Sequence, residues 1–209
     1  MCGRFIIDND DNIADMHLIF EKLKKFYSDT VEFQNVKKGE IFPSDTVPII
    51  IPEKETKMDV VPMQWGIRGY YGNLLINARC EGVFQKKIFK DSIVNKRCVI
   101  PANGFFEWAK LETGKEKYMI RPAYSNMLYF AGIYEKLPDP VIKGKEQVRF
   151  VIITREARGL IRSIHHRMPV VVERKDILKW MNGTKSNIYE IFNEPTVPEY
   201  TFTNLGGAG

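Results

Sequence analysis

The sequence predicts an α+β fold in which strands dominate. Most of its apolar segments are short, rich in β-branched or aromatic residues, and bounded by proline or glycine, as is typical of strands. Segments with helical spacing are few and do not alternate regularly with the strands, which argues against a doubly wound parallel sheet. The 209 residues are 44% hydrophobic and 12% aromatic, which is enough for a packed core. With no repeat or shift in composition, we expect a single domain over residues 1–209, with the last five residues as a flexible tail.

The first half of the chain is predicted to contain two helices and a set of strands. Residues 8–12 can cap a helix, and apolar residues follow at spacings of three and four, which predicts a helix over 12–27. The segments TVPIIIP and DVVPMQWGI predict strands over 46–52 and 59–67. Residues 67–73 are expected to form a loop, 74–79 a short strand and 80–91 a helix.

The second half is predicted to be mainly strands with short helices near its end. Four strands are expected, at 97–110, 117–121, 127–135 and 147–155. A turn-rich loop at 137–146 joins the last two. The remaining predicted elements are a short helix over 155–163, a strand over 169–173 and helices over 175–182 and 185–192.

Charge and cysteine content limit the classes of function. The net charge of +5 favours an anionic partner such as nucleic acid, although only weakly. The three cysteines have no CxxC spacing, which argues against disulfides and zinc and favours a reducing, cytoplasmic compartment. No signal peptide, membrane-spanning run or nucleotide-binding motif is recognisable. We therefore expect a monomer with no metal, no cofactor and no membrane partner.

The start of the chain, MCGRF, combines two nucleophiles. Removal of Met1 would leave Cys2 with a thiol and a free α-amine on adjacent carbons. These groups have pKa values near about 8.5 and 8, so both are usable at neutral pH. The guanidinium group of Arg4 is positively charged and can bind phosphate through two parallel hydrogen bonds. The pattern alone also allows Cys2 to be part of a frayed terminus.

Three further segments contain residues suited to chemistry. In NGFFEW, burial of Glu107 among aromatic residues would raise its pKa, but an outward-facing position is equally compatible with the pattern. In SIHHRMPV, His165 and His166 could move protons or form a surface pair beside a turn. In INAR, Asn77 and Arg79 could contact an oxygen and a phosphate, or simply end a strand.

Taken together and in this order, MCGRF, LINAR, PANGFFEW and IHHRMPVV resemble the motifs of the SRAP (SOS response-associated peptidase) family. The resemblance extends over positions 2–172. It implies a barrel-like, bifurcated sheet flanked by short helices. It also implies that Cys2 links covalently to DNA, that Asn77 lines the lesion pocket, and that Glu107 and His165 are active-site residues. His166 stands where relatives often have aspartate.

The resemblance also indicates how DNA would be bound. Arg4 and Arg79 match arginines that hold phosphates, and Tyr70 and Tyr71 lie in a loop where relatives place aromatic residues against bases. Arg162, together with Arg68, could extend this basic surface along the DNA backbone. The expected partner is single-stranded DNA that contains an abasic site.

The function implied by the resemblance is processing of abasic sites. Cys2, after loss of Met1, would form a thiazolidine with the lesion aldehyde and shield it, which is a crosslinking, lyase-like activity in the cytoplasm at the nucleoid. The family name adds an autopeptidase activity. Two alternatives remain: a cysteine-type (auto)peptidase acting through Cys2, and a non-catalytic single-stranded DNA-binding module.

Overall fold

The computed structural model describes residues 2–8, 13–54, 56–112, 114–138, 144, 146–193 and 198–207. Most of the predicted helix cap at 8–12 and of the predicted loop at 137–146 lies outside these residues. The described strands are β1 (Arg4–Ile7), β2 (Gly39–Ile41), β3 (Thr46–Lys54), β4 (Lys57–Trp65), β5 (Ile67–Arg68), β6 (Leu74–Leu75), β7 (Asn77–Arg79), β8 (Arg97–Ala102), β9 (Gly104–Leu111), β10 (Gly114–Pro122), β11 (Leu128–Pro138), β12 (Glu146–Glu156), β13 (Arg167–Pro169) and β14 (Tyr200–Gly207).

Six α-helices are described, and they are short except for the first. They are α1 (Ala14–Tyr27), α2 (Val31–Gln34), α3 (Ser92–Asn95), α4 (Ile161–Ile164), α5 (Ile177–Asn182) and α6 (Lys185–Asn193). Two 3₁₀ turns, Cys80–Gly82 and Arg174–Asp176, complete the helical structure of the described residues. The prediction of an α+β fold dominated by strands is confirmed. No helix in the described part of the chain is long and apolar enough to cross a membrane.

Five strands close into a barrel. They pair in the order β11–β8–β3–β4–β12, and the pairing of β11 with β12 completes the ring. The β12 strand connects the barrel to two further strands, because it also pairs with β7 and β13. Its pairings with β4 and β7 are parallel, whereas the other ladders of the barrel are antiparallel.

A second, antiparallel sheet packs against the barrel. Its order is β14–β10–β9–β1–β2, so the strand that follows Cys2 lies between β9 and β2. Phe5 of this sheet contacts Trp65 and Phe130 of the barrel edge-on, with ring centroids 5.1 and 6.1 Å apart. Phe105 contacts Phe130 in the same way at 6.0 Å. One aromatic core therefore fixes β1 and β9 relative to the barrel strands.

The strand predicted over 97–110 is two strands in two different sheets. The chain leaves the barrel after β8 and enters the second sheet as β9, with Asn103 between them. Asn103 is fully buried, and its side chain accepts from the backbone N–H of Asp8 at 2.8 Å and donates to the carbonyl of Asn126 at 2.6 Å. Because this amide satisfies backbone groups where the ladder breaks, the apolar run can change sheets.

Two other predictions need correction. The helix predicted over 80–91 is a 3₁₀ turn followed by turns, and the nearest α-helix begins at Ser92. Its buried residues Val83 and Phe89 are six positions apart and do not share a helical face. The expected flexible tail is also wrong for residues 205–207, because β14 extends to Gly207 and pairs with β10. This pairing covers an edge that β10 would otherwise expose.

Candidate active site

Cys2 is enclosed by the protein. Its exposed fraction is 0%, and two residues later the chain joins the second sheet as β1. The alternative of a frayed terminus therefore does not describe this chain. Burial raises the pKa of the Cys2 thiol far above its ordinary value, and the negative charge of Glu107 raises it further. The sulfur is therefore a protonated thiol at neutral pH.

Asn77 holds the backbone of Cys2. It lies on β7, opposite Ile152 of β12, and its Nδ2 donates to the carbonyl oxygen of Cys2 at 2.9 Å. The Asn77 Oδ1 atom is buried and accepts no hydrogen bond within the described part of the chain. Buried polar atoms are nearly always paired, so an open acceptor beside Cys2 is a position where a bound molecule can donate.

Glu107 is a carboxyl group inside the protein. It lies on β9 opposite Tyr118 of β10, and only 2% of the residue is exposed. Burial raises its pKa from 4.5 to about 7, because the charged form loses its hydration. Of the two possibilities left open by the pattern, the structure therefore shows the buried one.

His165 lies next to Glu107. It caps the C-terminus of α4, and its Nδ1 is 3.8 Å from Oε1 of Glu107. The same Nδ1 lies 3.0 Å from the backbone nitrogen of Arg167 and 3.2 Å from its carbonyl oxygen, so the backbone of Arg167 holds the ring in place. Burial lowers the pKa of His165, and the neighbouring charge of His166 lowers it further. The rings of His165 and His166 lie 4.3 Å apart.

An ion pair between buried Arg167 and exposed Glu81 joins the histidine segment to the segment after Asn77. Arg167 donates from Nη1 to Glu81 Oε1 at 2.7 Å and from Nη2 to Glu81 Oε2 at 2.9 Å. Its Nη2 also donates to the carbonyl of Thr154 at 2.7 Å. The motif SIHHRMPV contains Arg167, but no role was predicted for it from the sequence. Its place between two histidines and an apolar strand was the available signal.

The structure thus brings together the four residues that the motifs singled out, Cys2, Asn77, Glu107 and His165. A different element positions each of them: Cys2 lies two residues before β1, Asn77 on β7, Glu107 on β9, and His165 directly after α4. A hydrogen bond joins Asn77 to Cys2, a charge interaction links Cys2 to Glu107, and Glu107 lies 3.8 Å from His165.

The residues expected to bind DNA are distributed differently. Arg4 is half-buried on β1, and its guanidinium lies 3.9 Å over the ring of Phe42. Arg79 is exposed at the end of the strand that begins with Asn77. Arg162 is exposed on α4, one turn before His165, and lines a cavity of about 460 Å³ with Arg155 and Arg158.

The two tyrosines and Arg68 lie in and beside the turn between β5 and β6. Tyr70 and Tyr71 are 70% and 98% exposed, and neither has a described contact with the four clustered residues. Arg68 is exposed on β5. These side chains are available to a large ligand but do not form part of the buried cluster.

No group of three or more histidine, cysteine, aspartate or glutamate residues could hold a metal ion within the described ranges. Cys2, Cys80 and Cys98 are all free, and Cys80 is the most exposed of them. The buried cluster contains a thiol, an amide, a carboxyl group and an imidazole.

Comparison with known proteins identifies the family of the chain. The sequence profile of the SOS response associated peptidase (SRAP) family matches residues 1–204, and the chain belongs to that family.

Among similar proteins, the abasic site processing protein YoqW of Bacillus subtilis (strain 168) is 31% identical over 190 residues, which are 87% of this chain and 80% of YoqW. The abasic site processing protein YedK of Escherichia coli (strain K12) is 28% identical over 186 residues, 87% of this chain and 79% of YedK. A crystal structure of a protein from Bacteroides thetaiotaomicron has the same fold, with a TM-score of 0.76 at 24% identity, covering 97% of this chain and 91% of that one.

Proposed function

We propose that this protein processes abasic sites in single-stranded DNA by forming a covalent thiazolidine link through Cys2 after Met1 has been removed. The observation that carries the proposal is the burial of Cys2, which is bonded to Asn77 and interacts with Glu107, the neighbour of His165. The relatives that are named abasic site processing proteins support the substrate class. The link would shield the lesion from strand cleavage.

The chemistry needs both nucleophiles of one terminal cysteine. The α-amine attacks the aldehyde carbon of the ring-opened sugar, and loss of one water gives an imine. The thiol then adds to the same carbon, its proton passes to the nitrogen, and a five-membered ring closes. Because both groups belong to Cys2, the second step is intramolecular, which is worth several kcal/mol.

The pKa values of Glu107 and His165 suit the first step. At neutral pH a carboxyl group with a pKa of about 7 is about half protonated, and the histidine, whose pKa is lowered, is neutral. Neutral His165 can accept a proton from the attacking amine, and protonated Glu107 can donate one to the departing hydroxyl. Asn77 would orient the amine or the sugar through its carbonyl oxygen, which has no partner in the described protein.

Binding of the DNA backbone would fall to the basic residues around the cluster. Arg4 and Arg79 are the first of these because they follow Cys2 and Asn77 by two residues each. Arg162 and Arg68 would extend the path, and Tyr70 and Tyr71 offer exposed rings for stacking on bases. Single-strandedness of the substrate is part of this proposal, since the lesion sugar has to reach a buried cysteine.

The test is adduct formation under denaturing conditions. The protein is incubated with a labelled single strand containing one abasic site, and with the same strand undamaged. We expect a stable adduct only with the abasic strand. Cys2→Ser should abolish it, because serine has no thiol to close the ring, whereas Cys80→Ser should retain it.

The same preparations distinguish the alternatives. Cleavage of a peptide panel by the mature protein without any adduct would favour a peptidase. Salt-dependent binding of the strand with no adduct would favour a non-catalytic binding module. An equally stable adduct with Cys2→Ser would exclude the proposed role of Cys2.

A further inference from the structure

One face of the second sheet carries a carboxylate held between two cations. Arg4 Nη1 donates to Glu40 Oε1 at 2.8 Å, and Lys117 Nζ lies 2.7 Å from both carboxylate oxygens of Glu40. The three residues come from β1, β2 and β10. Their side chains are between 20% and 33% exposed, so the cluster is ordered by the sheet and still open to solvent.

Aromatic rings surround these cations. The Arg4 guanidinium lies 3.9 Å from the centroid of Phe42 and 5.5 Å from that of Trp108. Lys117 Nζ lies 4.3 Å from the centroid of Phe106. Phe42 is 42% exposed, whereas Phe106 is 3% exposed, so Phe42 is the accessible ring of the two. Cations that track a phosphate backbone, interleaved with accessible rings, are the combination that binds single-stranded nucleic acid.

The cluster borders the buried cysteine. Arg4 follows Cys2 by two residues and is the first residue of β1. A sugar that reacts with Cys2 carries phosphates on both sides. Arg4 is the cation of this cluster that lies nearest to Cys2 in the sequence.

We propose that Glu40 occupies the position of a DNA phosphate, and that single-stranded DNA must displace Glu40 from Arg4 and Lys117 in order to bind. A carboxylate and a phosphodiester both offer two oxygens and one negative charge to the same pair of cations. The inference rests on the proposed function for the identity of the ligand. Glu40 then lowers the affinity of the protein for every single strand of DNA. A long residence time on DNA therefore depends on the covalent link at a lesion.

The electrostatics of Glu40 agree with this competition. Partial burial raises the pKa of Glu40, but the hydrogen bonds from Lys117 and Arg4 outweigh that effect and hold the pKa below its ordinary value. The carboxylate is therefore charged across the neutral range and competes at any physiological pH.

The test measures affinity for a strand that cannot react. The probe is a labelled single strand with a tetrahydrofuran residue, which has no aldehyde, in place of the abasic sugar. We expect Glu40→Gln to bind it about 5- to 10-fold more tightly at low salt, because two cations are released for phosphate. The slope of log K against log salt should steepen by about 0.7 for each added phosphate contact. Glu40→Ala should show the same direction.

Two further variants serve as controls for net charge and for the part played by Lys117. Glu116→Gln makes the same change in net charge on the residue next to Lys117, but Glu116 interacts with Tyr118 and Asn204, so its affinity should stay near that of wild type. Adding Lys117→Gln to Glu40→Gln should remove most of the gain.

The outcomes separate this inference from the proposed function. Unchanged or weaker binding by Glu40→Gln and Glu40→Ala, or an equal gain in Glu116→Gln, would overturn the inference even if wild type forms an adduct with abasic DNA. If wild type forms no adduct while Glu40→Gln binds the probe more tightly, the competition stands and the covalent chemistry fails.

Discussion

At the scale of single residues, burial determines what Glu107 and His165 can do. In water a glutamate loses its proton well before a histidine does. Burial moves the pKa of Glu107 up to about 7 and that of His165 down, so the two values approach or reverse their usual order. An acid and a base can therefore coexist at neutral pH 3.8 Å apart. The proposed reaction uses both.

The raised pKa of Glu107 has a consequence for stability. A group whose pKa rises from 4.5 in the unfolded chain to about 7 in the folded protein favours the fold fully below pH 4.5 and loses that contribution as pH rises through 7. Glu107→Gln cannot ionise. As the pH rises from 4.5 through 7, we expect its free energy of unfolding to increase by about 3 kcal/mol relative to that of wild type. Denaturant unfolding at several pH values measures it.

The control for this experiment is Glu112→Gln, because Glu112 is an exposed carboxylate just beyond the end of the same strand. Its free energy of unfolding should follow that of wild type at every pH. If Glu107→Gln followed wild type as well, Glu107 would not be the buried carboxyl group described above.

At the scale of elements, Asn103 decides where an apolar run becomes two strands. Asn103→Ala would leave the backbone N–H of Asp8 and the carbonyl of Asn126 without their side-chain partner. We expect a loss of about 2–4 kcal/mol in free energy of unfolding, since unsatisfied buried groups cost more than a hydrogen bond contributes. Chemical denaturation measures it.

The matched control is Asn95→Ala. The Asn95 side chain is exposed and donates only to Asp91, one turn earlier, among its described contacts. Its removal should change the free energy of unfolding by about 0.5 kcal/mol or less. Equal effects of the two substitutions would contradict the role given to Asn103.

The elements also show which parts of the fold were predictable. The segments that became β3, β4, β11 and β12 are apolar and bounded by turn residues, so pattern alone located them. The run over 97–110 contains two turn signals near the break, Pro101 and the pair Asn103–Gly104, but its apolar character continues on both sides. The hydrogen bonds of Asn103 show that the chain changes sheets there. Strand β14 was missed because its burial is slight and its stability depends on pairing with β10.

The candidate site was predictable to the extent that its residues belong to motifs. Cys2, Asn77, Glu107 and His165 were each singled out, although the pattern alone left a structural alternative for each. The Glu40–Lys117 pair was not foreseen, because the two residues are 77 positions apart and only the sheet brings them together.

At the scale of the whole molecule, two sheets converge on one cysteine. The barrel supplies Asn77 through the pairing of β7 with β12, and the second sheet supplies Cys2 and Glu107 through neighbouring strands. Phe5 and Phe105 pack both sheets on one aromatic core. The net charge of +5 adds a general attraction for a polyanion.

The most direct test of this account is the intact mass of the protein before and after exposure to a single strand carrying one abasic site. The account predicts a chain lacking Met1, and a product whose mass is the sum of that chain and the strand minus one water. An adduct on a chain that still begins with Met1, or a trimmed chain that remains unmodified by the abasic strand, would contradict it.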